Sequence, residues 1–230
     1  MNWNAILGIA CIISLSLPIA VILYHKYYKH RSLAALLVYY AIILIYLLMS
    51  QKILPSSKSI RVNYGIISNL LDIPLMLTAL LFFCPNKQKQ NIVRLLTYLF
   101  LSYEALIIAL YGFNNNAITY TLAPGFVIIL SYTLYLFTRQ VKFSIMHRKN
   151  HGRMIMLASI FFLYSCYALT YFFYYIQKTP NVKDTEIIYF IATTASTLVM
   201  AIGLQLMNKR MKELQSLRIT RRELAMFFNH

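Results

Sequence analysis

Seven apolar stretches, each close to the length that crosses a bilayer, occupy almost the whole of this 230-residue chain. A hydrocarbon core of about 30 Å needs around 20 apolar residues in a helix. The pattern places spans at 5–24, 33–50, 64–84, 92–112, 119–138, 154–176 and 186–207. Runs such as LAALLVYYAIILIYLLMS do not alternate as the strands of a membrane barrel would, so the spans read as helices. The expected fold class is all-α: a polytopic integral membrane protein built as a seven-transmembrane-helix bundle. The connecting segments are too short to hold a soluble domain. Any site therefore lies within the bundle or at its two mouths.

Charge gives the bundle a direction. Lys and Arg accumulate on the cytoplasmic side of short loops. Here the first, third and fifth loops and the tail carry seventeen basic residues, and the other side carries five. This places the N-terminus outside and the C-terminus in the cytoplasm, in the cytoplasmic (inner or plasma) membrane. The first span has MNWN before it and HKYYKHR after it, flanks that suit a retained anchor better than a cleaved leader. The net charge of +16 then follows from topology and from attraction to anionic headgroups at the cytoplasmic face. A nucleic-acid partner is not expected, because no soluble domain exists to carry a basic face.

The tail, 209–230, reads as a basic amphipathic helix, with Met207, Met211, Leu214, Leu217 and Leu224 recurring along it. Such a helix can lie in the membrane interface. It can also dock a cytoplasmic protein or pair with a second copy of the chain.

Asp72 and Glu104 are the acidic residues deep within the spans, and neither has a Lys or Arg at similar depth. An ionisable group in a bilayer is costly and usually faces the bundle interior or a cavity. At a rise of about 1.5 Å per residue, Asp72 lies about 13 Å below Asn63 and Glu104 about 12 Å below Gly112. The two acids thus fall at similar depth on consecutive antiparallel helices. Three states are open to them: each protonated, one proton shared between them, or a bound cation or amine-bearing ligand. Ser68, Asn69 and Asp72 stand at i, i+1 and i+4, placing polar groups on one face of an apolar helix, and Pro74 loosens the backbone beside them. Glu104 has only Ser102 and Tyr103 close by in sequence, and residues so near in sequence do not share a helical face.

Two further rows are polar. Tyr164, Tyr167 and Tyr171 repeat at i, i+3 and i+7; a phenol in hydrocarbon seeks a hydrogen-bond partner, so this face should look inward. Thr193, Thr197, Ala201 and Gln205 repeat at i+4 steps, with Ala192 and Ser196 beside them. Small and hydroxylated residues at this spacing suit close helix packing or a polar cavity wall. The candidate ligand- or proton-binding set is therefore Asp72, Glu104, Asn69, Ser68, Tyr167, Tyr171, Thr193 and Thr197.

Catalytic and cofactor signatures are missing from the sequence. There is no phosphate-binding loop, no nucleophile elbow and no zinc-protease motif. Haem held between spans would need histidines at membrane depth, and His25, His30, His147, His151 and His230 all lie in segments between or after the spans. Cys11, Cys84 and Cys166 have no metal spacing and read as small apolar residues. No cofactor and no metal site is expected. The seven-span topology is similar to that of rhodopsins and G-protein-coupled receptors. The likeness ends there: the seventh span has no lysine at mid-depth, and the third ends Phe82-Phe83-Cys84-Pro85 without an acidic-Arg-aromatic triplet.

The leading expectation is a receptor-like or sensor-like protein that binds a small or lipophilic ligand in a polar pocket. A proton- or cation-coupled transporter using Asp72 and Glu104 comes second. A lipid-modifying enzyme comes third, with either acid as general acid or base but without a nucleophile or metal set beside it.

Overall fold

Helices end where the chain supplies a stop. In a computed structural model, which describes residues 3–147, 151–177 and 182–228, seven helices follow the seven apolar stretches: α1 (Trp3–Tyr24), α2 (Arg31–Ser50), α3 (Lys58–Leu80), α4 (Lys87–Tyr111), α5 (Asn115–His147), α6 (His151–Tyr171) and α7 (Val182–Phe228). All seven are long and apolar enough to cross a membrane. Lys26 and Lys52, with φ of 56° and 59°, turn the chain out of α1 and α2. Ser57 caps α3, its Oγ accepting from the Ile60 amide at 3.3 Å. Gly112 ends α4 with φ of 78°, a value that only glycine adopts without strain. Asn114 opens α5 by accepting from the amides of Asn116 and Ala117 at 2.9 and 3.2 Å.

Pro18, Pro74 and Pro124 lie inside α1, α3 and α5, and each helix continues through its proline. Beside Pro74 the Thr78 hydroxyl donates back to the Pro74 carbonyl at 2.8 Å, a local side-chain-to-backbone bond of the kind that bends helices slightly. A π-turn at Phe172–Ile176 closes the end of α6.

Two boundaries depart from the hydropathy reading. α5 runs well past Thr138 to His147, so the basic segment expected as loop is largely helical. Nothing between Thr138 and His147 breaks a helix, since Arg, Gln, Lys and Met are all good helix formers. Likewise α7 passes through Met207 without interruption and reaches Phe228. No glycine or proline follows Gly203, so the tail is one helix with the seventh span. The side chains of Leu214, Leu217 and Leu224 lie outside the described residues, as do the side chains of His147 and Lys212.

The main pairings run α1–α2–α3–α5–α6–α7 and back to α1, and α4 packs against α3 and α5 from outside this ring. α6 and α7 approach most closely. A Cβ on Gly152 would stand 2.7 Å from the Gly203 carbonyl oxygen and from the Met207 amide nitrogen. Further along, Ser159 donates to the Ser196 carbonyl at 2.7 Å, and Ser196 donates back to the Ser159 carbonyl at 3.1 Å. In lipid no hydrophobic force pulls helices together, so contacts of this kind hold the bundle. Ala192, Thr193, Ser196, Thr197 and Ala201 are buried, whereas Gln205 is exposed. The seventh-span row therefore packs only as far as Ala201, because helical drift carries Gln205 out of the seam. The outer surface is apolar, with Ile9, Ile13, Leu95, Leu99, Leu106, Leu110 and Val127 all exposed.

Candidate functional site

The polar face of α3 opens onto a cavity of about 470 Å³ between α2, α3, α5, α6 and α7. Ser68, Asn69 and Asp72 supply its α3 wall. Tyr167, Thr170, Tyr171, Tyr174 and Tyr175 come from the end of α6 and its π-turn, and Thr185, Glu186, Tyr189 and Phe190 from the start of α7. Tyr46, Ser50 and Gln51 come from the end of α2. The rim therefore lies at the end of the bundle where α1 begins and α2 stops. Glycine makes part of this space: a Cβ on Gly65 would press on the Tyr46 ring at 3.1 Å.

Asp72 sits deepest among the polar lining residues of α3. Its Oδ1 accepts from the Tyr164 hydroxyl at 2.6 Å, a short hydrogen bond. Tyr164 is 0% exposed. Asp72 lines the cavity, and among the described residues no further hydrogen bond of ordinary geometry reaches its carboxyl. The Tyr39 hydroxyl lies within electrostatic reach of Asp72 and Tyr164, but it makes no hydrogen bond of ordinary geometry and is buried without a bonded partner. Ser68 turns its hydroxyl to the Gly65 carbonyl at 2.9 Å, while the Asn69 amide has no hydrogen-bond partner among the described residues.

The opposite wall is aromatic and fixed. All three tyrosines of the α6 row face inward and are buried. Tyr167 and Thr193 share a hydrogen bond of 3.0 Å between their hydroxyls, and the Tyr171 hydroxyl donates to the Thr119 carbonyl at 2.6 Å. With the hydroxyls so tied, the rings stack in place: Tyr167 on Tyr189 at 5.3 Å, and Phe126 edge-on to Tyr171 at 5.6 Å. At the rim, Glu186 accepts from the Asn4 amide at 3.1 Å.

The structure thus brings together Asp72, Asn69, Ser68, Tyr167 and Tyr171. Thr193 and Thr197 stand behind this set: Thr193 bonds to Tyr167, Thr197 donates to the Thr193 carbonyl at 2.8 Å, and neither lines the cavity. Glu104 is elsewhere. It lies buried on α4, 6% exposed, and its Oε1 has no hydrogen-bond partner. No hydrogen bond joins it to Asp72, and it does not line the cavity. Sequence reasoning missed Tyr46, Glu186 and Tyr189. Glu186 stands at the expected start of the seventh span, where an acid reads as ordinary rim chemistry. Among the described residues, no three of His, Cys, Asp and Glu gather closely enough to hold a metal ion.

The fold and site together define a seven-helix bundle with membrane-span composition and an acid-floored, aromatic-walled cavity. No family model, curated protein or solved structure matches the chain.

Proposed function

We propose that this chain is a multi-pass membrane protein of the receptor-like or sensor-like kind, which takes a small ligand into the cavity beside Asp72. Its N-terminus and the cavity rim lie outside, and the basic end of α7 lies in the cytoplasm. The observation that carries this reading is the cavity itself, with a polar α3 wall facing a fixed aromatic one. Its volume of about 470 Å³ falls within the range of roughly 300–1,000 Å³ common for small-molecule sites. Fixed rings and a few convergent polar groups suit a ligand with an apolar body. The uneven distribution of Lys and Arg supports the orientation. α7 supports a signalling role, because one helix runs from the cavity wall to the basic segment at its far end.

The carrier reading has weaker support. It draws on two acids exchanging a proton or cation, and Asp72 bonds to Tyr164 instead of Glu104.

Accessibility tests the proposal. In a chain with Cys11, Cys84 and Cys166 replaced, Asn69→Cys should react with a small, neutral, membrane-impermeant thiol reagent added outside intact cells. The same reagent added to inverted vesicles should not reach it. Reaction from both sides would favour a carrier that opens alternately. Reaction from the inside only would overturn the orientation.

A further inference from the structure

We propose that the cavity selects organic cations: small molecules with an ammonium or similarly compact positive head and an apolar or aromatic body, the head seated at Asp72. This rests on the reading of the cavity as a ligand site and names the chemistry of its ligand.

Charge is the first ground. Among the described residues the lining contains two acidic side chains, Asp72 on its α3 wall and Glu186 at the rim, and no Lys, Arg or His. Arg61, in the first turn of α3, is within electrostatic reach of Tyr46 at the rim but is not a lining residue. Asp72 receives the Tyr164 hydrogen bond, which orients its carboxyl group. Asp72 lines the cavity, and among the described residues no cationic side chain lines it with Asp72. A mobile cation supplies the missing charge, and an anion would be repelled.

The walls are the second ground. The face of an aromatic ring is negative and attracts a cation within about 6 Å of its centroid. Tyr167, Tyr171, Tyr189 and Phe126 line the cavity from positions fixed by their ring contacts, so little ordering is needed on binding.

Size and donor chemistry are the third. A bare calcium-like ion takes about six to eight oxygen ligands in a small cage. Here one carboxylate, one amide and one already engaged hydroxyl line the α3 wall of a space of about 470 Å³. That space suits a molecule, with rings for its body and a carboxylate for its head.

The test uses matched thiol reagents, a methanethiosulfonate bearing ethyltrimethylammonium and one bearing ethylsulfonate. Each forms a disulfide with the cysteine and releases methanesulfinate. Rates at Asn69→Cys in the cysteine-replaced chain are divided by those of a free thiol in solution. The cationic reagent should react at least about tenfold faster, the scale expected for a carboxylate a few ångströms away in a partly desolvated site. Adding Asp72→Asn should remove most of that preference, and adding Glu104→Gln should not. Benzyltrimethylammonium should slow the reaction, and benzenesulfonate should not. Equal rates, an anionic preference, or a cationic preference that survives Asp72→Asn would overturn the inference while leaving the cavity as a ligand site. Failure of both reagents at Asn69→Cys and at a second reporter, Thr170→Cys, in protein that runs as a single species, would overturn the ligand-site reading and this inference with it.

Discussion

Asp72 and Glu104 are carboxyl-bearing residues set among apolar helices, and the bundle treats them differently. Asp72 receives a 2.6 Å hydrogen bond from Tyr164 and lines a cavity. Glu104 is buried on α4, the helix outside the main ring, with Oε1 unpartnered and no place in the cavity lining. A buried polar group without a partner costs free energy and offers nothing to a ligand. Depth in a span therefore does not make a site. A partner that fixes the group and a space that admits a guest do so together.

The comparison can be pressed hardest at the acids themselves. Asp72→Asn should remove most of the charge preference of the cavity, about tenfold in relative rate, whereas Glu104→Gln should leave it intact; the matched-reagent assay reads both. Tyr164→Phe comes next. Removing the donor to Asp72 should lower stability by about 1–2 kcal/mol, the scale of one strong side-chain hydrogen bond in a helix bundle, measured by reversible unfolding in mixed micelles. Glu104→Leu should act the other way or not at all. With no hydrogen bond to lose at Oε1, stability should hold or rise by up to about 1 kcal/mol in the same assay. Ser102→Ala should do least. Its exposed hydroxyl turns back to the Tyr98 carbonyl at 3.0 Å, and the change should stay within about 0.5 kcal/mol.

Hydropathy makes the seven helices legible, because a backbone in lipid must bond to itself and long apolar runs have no other way to do so. The inward turn of Tyr164, Tyr167 and Tyr171 is legible for a similar reason: phenols on one helical face need partners, and the bundle interior supplies them. The spacing of Ser68, Asn69 and Asp72 likewise marks one face of α3. The identity of the partner is not legible. Tyr164 and Asp72 are 92 positions apart, and the rotation of α6 that joins them depends on packing along its whole length, beginning with Gly152 against Gly203. Glu104 is as polar and as deep by sequence as Asp72, and only the peripheral place of α4 separates them. Gln205 continues a visible row yet faces outward, since an i+4 stripe drifts around a helix.

The direct measurement is the reactivity of two cysteines placed at the acids, Asp72→Cys and Glu104→Cys, each in the cysteine-replaced chain in intact membranes. A small neutral thiol reagent reads accessibility at each position. Asp72→Cys should react at least about tenfold faster than Glu104→Cys when the reagent is added from the N-terminal side. Equal rates, or a faster reaction at Glu104→Cys, would contradict the division between a carboxyl that lines the cavity and one that does not.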